Sequence, residues 1–452
     1  DETISKGIAH APRRTTSHKN CVIFKGIAHA PRRTTSHENC VIIFKGVRVM
    51  SSTRHDLSKL ARLVAYRKMD RREFLSQALK AGVLATAASI FLTACRRPPV
   101  AEVAPEEPTP SFDQQALTEA RYYVKMEGET IQCQLCFRRC TISEGERGYC
   151  GVRENREGTL YTLVYGRPCS ITEGSPIEKL PLYHVLPGSA RLNLATAGCN
   201  FKCSFCHNWQ IAARTPEEVI SFDLSPEEVV ERAIENNLQF IAFTYTEPTV
   251  FYEYMYDVSK LAKEKGLRTL LNTNGAMNPE PLRQLLKYID AGNVDLKAFT
   301  AEFYQVTSFS ELEPVLTTLK IIKEEGVWFE ITNLVIPTLN DDMGKIREMC
   351  IWVRDNLGKD VPLHFSRFFP AYKLTRLPPT PIETLEQARA IALEVGLEYV
   401  TIGNVPGHEA NSTFCPNCGE TLIKRVHFSV LANHIEDGKC KFCGYQIPGV
   451  WA

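Results

Sequence analysis

Three cysteines with a spacing suited to an iron–sulfur cluster lie in one short segment, at Cys199, Cys203 and Cys206. In a cubane cluster each iron takes one thiolate, so three thiolates from one loop would leave the fourth iron open to a further ligand. An open position distinguishes catalytic metal sites from structural ones. A zinc knuckle is the alternative, but the extra ligand at hand is His207, and side chains adjacent in sequence seldom converge on one ion. The spacing therefore predicts a catalytic [4Fe-4S] cluster.

A second group of cysteines precedes this segment, and we interpret it as a tetrathiolate site. Its members are Cys133, Cys136, Cys140 and Cys150. Gly145 and Gly148 permit tight turns between the last two, so four thiolates could close on one ion or cluster. Zinc is the usual occupant of such a loop-rich site, an iron–sulfur cluster accepts the same ligands, and disulfide pairing is the third alternative.

A third group of cysteines lies near the end of the chain. Its members are Cys415, Cys418, Cys440 and Cys443. They form two CxxC pairs, each followed by glycine, with about twenty residues between the pairs, which is typical of a zinc ribbon. An auxiliary iron–sulfur cluster that relays electrons is the alternative.

Strand-like and helix-like segments alternate after the first cysteine loop, which predicts a parallel α/β sheet or barrel. We expect strands over residues 192–196, 240–245, 269–273, 293–296, 329–336, 363–368 and 399–402. The first ends just before Gly198, so the cysteine loop should lie at the carboxyl end of a strand, where active sites of α/β barrels are found. Ser225 and Asn278, each followed by proline, and Thr384, followed by Gln387, indicate helix starts.

Residues at or near the carboxyl ends of the expected strands, most of them polar, are candidates for binding a cofactor. They are Thr246, Glu247, Pro248, Thr273, Asn274, Gly275, Asp295, Lys297, Asn333, Arg367, Gly403 and Asn404. A carboxylate such as Glu247 suits an ammonium group, and a guanidinium such as Arg367 recognises a carboxylate through two hydrogen bonds. Asp295 and Lys297 could instead form a structural ion pair, and residues 273–275 an ordinary turn. We interpret His364 as a core histidine.

The segment with Cys199, Cys203 and Cys206 resembles the CxxxCxxC signature of the radical S-adenosylmethionine (SAM) superfamily. Its neighbours strengthen the resemblance, namely Gly198, Asn200, Phe205, Asn208 and Trp209. Residues 176–209 most resemble radical SAM enzymes of the AmmeMemoRadiSam system, which are related to pyruvate formate-lyase activating enzymes. The sequence departs from the family pattern at His207, where glutamine is common, and at Phe137, where proline is usual.

The resemblance implies a partial (β/α)6 radical SAM barrel with an N-terminal cysteine-rich module and a C-terminal zinc-ribbon-like module. It implies that SAM binds at the open iron, among Phe205, Asn208 and the polar strand-end residues. Reductive cleavage of SAM would give a 5′-deoxyadenosyl radical, which abstracts hydrogen from an unidentified substrate. The implied partners are an electron donor, a protein substrate as in activating enzymes, and Memo-like and AMMECR1-like proteins.

A membrane-tethered iron–sulfur electron-transfer or metal-scaffold protein without SAM turnover is the alternative function. An electron carrier, however, needs neither an open iron nor polar groups along strand ends. The formal net charge of +1 lacks the basic excess expected of a nucleic-acid-binding protein. Small molecules or proteins are therefore the expected partners.

The first part of the chain predicts export. Residues 6–24 recur almost unchanged as residues 25–43, which we interpret as translated upstream repeat DNA, with the native start at Met50 or Met69. Arg71 and Arg72 precede an apolar run too short to span a bilayer, as in a twin-arginine signal, and a lipoprotein-like box ends at Cys95. An amphipathic helix is the alternative.

The expected organisation follows from these segments. It comprises a repeat-containing upstream segment (residues 1–68), a signal (69–95), a Pro/Glu-rich linker (96–115), a cysteine-rich module (116–190), the barrel (191–408) and the zinc-ribbon-like module (409–452). We expect a membrane tether through Cys95 after export. A cytoplasmic location is the alternative, because SAM and low-potential reductants are cytoplasmic supplies.

Overall fold

The computed structural model describes residues 117–452. The predicted repeat, the twin-arginine and lipoprotein signal with Cys95, and the Pro/Glu-rich linker lie outside the described residues. In the part of the chain that is described, no helix is long and apolar enough to cross a membrane.

The cysteine-rich module begins with two small antiparallel sheets of three strands each. Their strands are β1 (Thr118–Glu119), β2 (Tyr123–Lys125), β3 (Ile131–Cys133), β4 (Thr141–Ile142), β5 (Arg153–Arg156) and β6 (Thr159–Thr162). One sheet has the order β1-β6-β5 and the other the order β2-β3-β4. The buried Arg153 of β5 forms an ion pair of 3.0 Å with the equally buried Glu253 of the barrel, which joins the module to it.

An eight-stranded sheet forms the centre of residues 117–452. Its strands are β7 (Ser170–Pro176), β8 (Ala190–Ala195), β9 (Phe240–Phe243), β10 (Arg268–Thr273), β11 (Ala291–Asp295), β12 (Trp328–Val335), β13 (Leu363–Arg367) and β14 (Val400–Gly403). Strands β8 to β14 run parallel in chain order, and β7 pairs antiparallel with β8 at one edge. Because β14 and β7 form the two edges and do not pair with each other, the sheet is a partial barrel, as predicted.

The parallel strands are covered on both faces, which explains why they appear in the sequence as short apolar runs. All four residues of β9 are buried, and five of the six residues of β8 are buried. Strand β7 differs, because its sequence SITEGSP is polar and none of its residues is fully buried. The sheet therefore extends into the segment that we expected to belong to the cysteine-rich module.

Helices connect the strands and cover the sheet. They are α1 (Trp209–Ala212), α2 (Pro226–Glu235), α3 (Tyr252–Glu264), α4 (Pro279–Leu286), α5 (Ala301–Phe303), α6 (Glu313–Glu324), α7 (Met343–Leu357) and α8 (Ile382–Val395). A π-helical turn, Tyr304–Ser308, follows α5, and single 3₁₀ turns lie at Ile177–Lys179, Pro216–Glu218, Pro248–Phe251 and Glu409–Asn411.

Two of the three predicted helix starts are confirmed. Ser225 caps α2, with its hydroxyl 3.2 Å from the backbone nitrogen of Glu228, whose carboxylate accepts from the Ser225 nitrogen at 2.7 Å. Helix α4 begins directly after Asn278. The start predicted at Thr384 is wrong: α8 begins at Ile382, because Pro381 takes the N-cap position and Thr384 lies in the first turn.

The C-terminal module consists of short antiparallel strands. They are β15 (Thr413–Phe414), β16 (Thr421–Val426), β17 (Ser429–Asn433), β18 (Ile435–Glu436) and β19 (Lys439–Cys440). The buried Arg425 of this module donates to the carbonyl of Tyr183 at 2.6 Å. Val450 forms an isolated parallel β-bridge with Val185. The segment carrying Tyr183 lies at the amino ends of the barrel strands, because the Tyr183 nitrogen donates to Glu330 near the start of β12.

The interpretation of His364 as a core histidine is confirmed. The residue is 1% exposed, with Nε2 at 2.7 Å from the Glu330 carboxylate and Nδ1 at 2.7 Å from the Thr401 hydroxyl. The imidazole therefore belongs to a buried polar group near the base of the barrel.

Candidate active site

The cluster loop, residues 196–208, follows β8 at the carboxyl end of the sheet. Segments that are distant in sequence form hydrogen bonds with the backbone of this loop. The nitrogens of Lys202 and Ser204 donate to the carbonyls of Ser308 and Thr307, at 3.1 and 2.9 Å, and the Lys373 nitrogen donates to the Ser204 carbonyl at 3.0 Å. Because the π-helical turn and a later loop both contribute, the loop is fixed over the barrel mouth.

Gly198 gives the start of this loop its close approach to the cysteine-rich module. Its φ is +90°, and a Cβ placed there would lie 2.6 Å from Val152 Cγ1 and 2.8 Å from the carbonyl oxygen of Cys150. Glycine is required for both reasons, since other residues are disfavoured at this φ and no side chain fits the space.

The three cysteines of the loop are partly buried free thiols. Burial raises the pKa of Cys206 to about 11 and also raises the pKa values of Cys199 and Cys203. A bare thiolate is therefore unfavourable here, and a cationic metal would supply the missing compensation. A set of three thiols on one loop fits the ligand set of a cubane cluster with one open iron.

Glu247 connects the ends of β9 and β10 on the floor of this site. One carboxylate oxygen accepts from the Thr249 hydroxyl at 2.6 Å and from the Thr273 hydroxyl at 2.7 Å, and the other accepts from the Asn274 nitrogen at 2.7 Å. A further bond of 3.1 Å comes from the Thr249 nitrogen. The carboxylate is 2% exposed, and burial raises its pKa.

The turn after β10 extends to the cysteine loop through Asn274. Its Nδ2 donates to the side-chain oxygen of Asn200 at 2.8 Å and lies 3.9 Å from Cys199 Sγ. Gly275, with φ +75°, has Val294 and Val315 within 3.1 Å of the place where a Cβ would lie. Thr273 thus ends β10, and the chain turns at Asn274 and Gly275, where Asn274 contacts Cys199 of the loop.

Asp295 and Lys297 form the ion pair that one of the two alternatives predicted, with Nζ 2.9 Å from the carboxylate. Burial alone would lower the pKa of the Lys297 ammonium, but the Asp295 carboxylate raises it above its usual value. The ammonium also lies 5.8 Å from the centre of the Phe205 ring. The pair thus places a fixed positive charge beside the cysteine loop.

The remaining candidates on the later strands are tied to the backbone around them. Asn333 donates to the Leu296 carbonyl at 2.7 Å, and Arg367 Nε donates to the Thr380 carbonyl at 2.7 Å. Asn404, with φ +59°, donates to the Arg367 carbonyl at 3.2 Å. At Gly403 a Cβ would lie 2.9 Å from the Ser366 hydroxyl, so glycine lets β14 approach β13 closely.

Residues near the end of β9 complete the arrangement. Asn208 donates to the Tyr245 carbonyl at 2.7 Å, and Tyr245 has a φ of +67°. The Thr246 hydroxyl is buried and has no hydrogen-bond partner within residues 117–452, and Pro248 opens the 3₁₀ turn that follows. A buried hydroxyl without a partner at this point fits a polar ligand. The SAM-binding roles of all these side chains remain predictions.

Two residues that contribute to the site, Tyr304 and Tyr372, were not predicted from the sequence. The hydroxyl of the buried Tyr304 accepts from the Lys297 nitrogen at 3.0 Å and so supports the ion pair. The ring of Trp209 stacks on Tyr372 with centroids 5.3 Å apart. Neither Tyr304 nor Tyr372 lies in a motif, so the sequence offered no signal for them.

The C-terminal cysteines come together as a compact quartet of Cys415, Cys418, Cys440 and Cys443. All four sulfur atoms lie within 4.8 Å of one another. The sulfurs of Cys415 and Cys443 are 3.7 Å apart, and those of Cys418 and Cys440 are 3.8 Å apart. A tetrahedral zinc with Zn–S bonds of about 2.3 Å separates its ligands by about 3.8 Å, so the quartet matches zinc.

The comparisons with known proteins agree with this geometry. The family model of the radical SAM superfamily matches residues 193–350. An uncharacterized protein of Methanocaldococcus jannaschii is 48% identical over 333 residues, which are 73% of this chain and 99% of that protein. The pyruvate formate-lyase-activating enzyme of Clostridium pasteurianum is 26% identical over 161 residues, which are 34% of this chain and 64% of that enzyme.

Solved structures were also found. A domain of pyruvate-formate lyase-activating enzyme from Bacteroides vulgatus matches with a TM-score of 0.32 and 19% identity, covering 36% of this chain and 98% of that one. A radical SAM methyltransferase from Sphaerobacter thermophilus matches with a TM-score of 0.38 and 16% identity, covering 68% of this chain and 81% of that one. The family model matches the chain, one relative is 48% identical over almost its whole length, and the cysteine loop lies at the barrel mouth. The chain therefore belongs to the radical SAM superfamily.

Proposed function

We propose that this protein reductively cleaves SAM and uses the resulting radical to abstract hydrogen from a substrate. When bound, a [4Fe-4S] cluster supplies one electron to the SAM sulfonium, which gives methionine and a 5′-deoxyadenosyl radical. The observation that carries this proposal is the position of Cys199, Cys203 and Cys206 on one loop over the polar strand ends. Membership of the radical SAM superfamily supports the same reaction class.

In this reaction the residues of the chain bind the cluster and SAM and orient them. The cysteines hold the cluster, and the Asn274 amide beside Cys199 restricts the loop through Asn200. The buried Thr246 hydroxyl and the turn that Glu247 holds line the place where SAM would bind. The barrel around them excludes water, which protects a reactive radical from side reactions.

We propose that the substrate is a protein, as it is for activating enzymes. The radical would abstract hydrogen from this protein. Support comes from the relatives named as pyruvate formate-lyase activating enzymes and putative glycyl-radical enzyme activating enzymes. The AmmeMemoRadiSam assignment, with Memo-like and AMMECR1-like partners and a low-potential electron donor, belongs to the same proposal. Its support is the resemblance of residues 176–209.

For the C-terminal module we propose a structural zinc ion rather than an auxiliary cluster. The sulfur separations of 3.7 and 3.8 Å support zinc, because a cubane holds its thiolates farther apart with iron and sulfide between them. The zinc would hold together the short strands β15 to β19.

The proposed reaction predicts that Cys203→Ala abolishes 5′-deoxyadenosine formation. The protein is reconstituted anaerobically with iron and sulfide, given SAM and dithionite, and the product is measured by mass spectrometry. We expect product for the unmodified protein and at least a hundredfold loss for the variant, because its cluster loses one of three ligands.

Cys169→Ala is the matched control, since this thiol is also partly buried but belongs to none of the three cysteine groups. It should keep full activity. If the unmodified protein holds an intact cluster by Mössbauer spectroscopy yet forms no 5′-deoxyadenosine, the alternative of an electron-transfer or scaffold protein is favoured.

A further inference from the structure

The four cysteines of the N-terminal module converge on one cavity. We call Cys133, Cys136, Cys140 and Cys150 the N-terminal quartet. All four are free thiols, two of them buried and two partly buried. They line a cavity of about 20 Å³ together with Arg153 and Asn200, the second of which belongs to the cluster loop. Four thiols that are up to seventeen positions apart in the sequence therefore line the same cavity.

The spacing of these thiols distinguishes them from a zinc site. Among residues 117–452, the C-terminal quartet is the one group of three or more ligand atoms that all lie within 4.8 Å of one another. Neither the N-terminal quartet nor the three cysteines of the cluster loop meets that spacing. Thiols spaced more widely than those of the C-terminal quartet match a cubane, in which iron and sulfide separate the ligands, better than a single ion with sulfurs about 3.8 Å apart.

Two buried N–H donors in the wall of this cavity have no acceptor. Arg153 Nε and Asn200 Nδ2 are without hydrogen-bond partners in the described part of the chain, and their residues are 2% and 1% exposed. Buried donors usually have a partner, so two of them in the wall of one cavity fit an acceptor bound there. The sulfides and thiolates of a cluster accept such hydrogen bonds, which are among the interactions that set cluster potentials.

The cavity also directly adjoins the cluster loop. The carbonyl of Cys150 lies 2.8 Å from the place where a Gly198 Cβ would be, immediately before Cys199. Arg138, between Cys136 and Cys140, donates to the Asn200 carbonyl at 2.6 Å. The wall residue Asn200 is in turn hydrogen-bonded to Asn274, beside Cys199. The N-terminal quartet and the three catalytic cysteines are therefore neighbours.

We propose that the N-terminal quartet binds a second [4Fe-4S] cluster, fully capped by four thiolates, next to the catalytic cluster. All four irons have a protein ligand, so this cluster offers no position for SAM. The assignment does not depend on SAM cleavage, because it concerns which metal the quartet holds.

The test removes the catalytic cluster and asks what remains. A Cys199→Ala, Cys203→Ala, Cys206→Ala triple variant of the full chain is reconstituted anaerobically with iron, sulfide and zinc. We expect about four irons and four sulfides per chain, a Mössbauer spectrum of a cubane, and about one zinc. Adding SAM should leave the electron paramagnetic resonance spectrum of the reduced variant unchanged. A triple variant with about two zinc ions and no iron would overturn the proposal.

The complementary variant changes Cys136 and Cys140 to serine and keeps the catalytic loop. It should hold about half the iron of the unmodified protein and retain a spectrum that responds to SAM. Changing Cys418 and Cys443 to serine is the matched control, which should remove zinc and leave iron at the level of the unmodified protein. If this control loses iron while the Cys136/Cys140 variant keeps it all, the two sites are assigned the wrong way round and the proposal fails.

Discussion

At the scale of single residues, Glu247 shows how a predicted ligand can serve a site through other groups. Its carboxylate accepts hydrogen bonds from Thr249, Thr273 and Asn274, so the side chain fixes the turn after β10. That turn carries the amide beside Cys199. The residue is therefore positioned to order the wall of the site even before any ammonium group approaches it.

We predict that Glu247→Gln weakens SAM binding by about tenfold while the iron content stays the same. The amide NH₂ of glutamine cannot accept, so at least one buried donor from Thr273 or Asn274 would lose its partner, at a cost of about 1–3 kcal/mol. The measurement is SAM affinity, from the change that SAM causes in the electron paramagnetic resonance spectrum of the reduced protein.

Glu235→Gln is the control, because this glutamate is exposed at the end of α2, away from the site. It should bind SAM like the unmodified protein. An unchanged SAM affinity for Glu247→Gln would show that the hydrogen bonds of the carboxylate do not matter for the site.

Some contacts of single residues in the site could be predicted from the sequence, and others could not. A short polar motif such as Asp295-Leu-Lys297 predicts that two charges lie at a strand end, and the structure shows them paired at 2.9 Å. The same motif cannot reveal that Tyr304 supports the pair, because that contact depends on the path of the chain between them. His364 was predictable as a core residue, but its partner Glu330 was not.

Among the secondary-structure elements, the cluster loop packs closely against the cysteine-rich module at Gly198. Gly198 is the point of closest approach, with Val152 and the Cys150 carbonyl under 3 Å from its missing Cβ. A change at this point would push apart two segments that each carry metal ligands.

We predict that Gly198→Ala lowers the iron content after reconstitution and lowers the free energy of unfolding by about 3 kcal/mol. A φ of +90° disfavours alanine by about 1–2 kcal/mol, and overpacking adds about 1–3 kcal/mol. Iron analysis and thermal unfolding of the reconstituted protein measure the two effects.

Gly266→Ala separates the two contributions. Gly266 has a similar φ of +76°, but no atom lies within 4 Å of the position of a Cβ. It should lose only the backbone part of the stability and keep its iron. Equal losses in both variants would mean that contact between the loop and the module is unimportant.

Element prediction from the sequence succeeded where packing on both faces determines composition. Strands β8 to β14 all overlap their predicted ranges, because a buried parallel strand requires an apolar run. Strand β7 was not expected in the sheet, since an edge strand with the polar sequence SITEGSP carries no such signal. The start of α8 was misplaced because the capping pattern at Thr384 competes with Pro381, which stands closer to the true start.

At the scale of the whole molecule, a buried polar group connects the C-terminal module to the base of the barrel. The ring Nδ1 of His184 donates to the Pro448 carbonyl at 2.8 Å, and the backbone nitrogen of His184 donates to Glu330 at 2.7 Å. Burial lowers the pKa of His184 to about 4. Burial would raise the pKa of Glu330, but its hydrogen bond with His364 holds it below the usual value.

We predict that the protein loses stability as the pH falls below about 6.5, by about 2 kcal/mol between pH 7 and pH 5. The unfolded chain protonates His184 near its ordinary pKa, whereas the folded state resists protonation down to about 4, so acid favours unfolding. His184→Gln should be less stable at pH 7 but should show a weaker pH dependence. Thermal unfolding of the metal-loaded protein at several pH values measures this.

His427→Gln is the matched control, because this histidine is exposed between β16 and β17. It should retain the full pH dependence, including any part due to metal loss, which both variants share. A slope for His184→Gln as steep as that of His427→Gln would contradict the assignment of this pH effect to His184.

The gap between β14 and β7 has a consequence for what the enzyme can act on. A barrel closed by strand pairing would admit only molecules small enough to descend through its mouth, whereas the unpaired edges of β7 and β14 leave a second direction of approach above the base that the C-terminal module contacts. A segment of the proposed protein substrate could approach the site from that direction while the remainder of its fold stays outside. The choice of substrate would then depend on how far a substrate segment extends from its own fold and on the surfaces beside these two strands. The volume of an enclosed chamber would matter less.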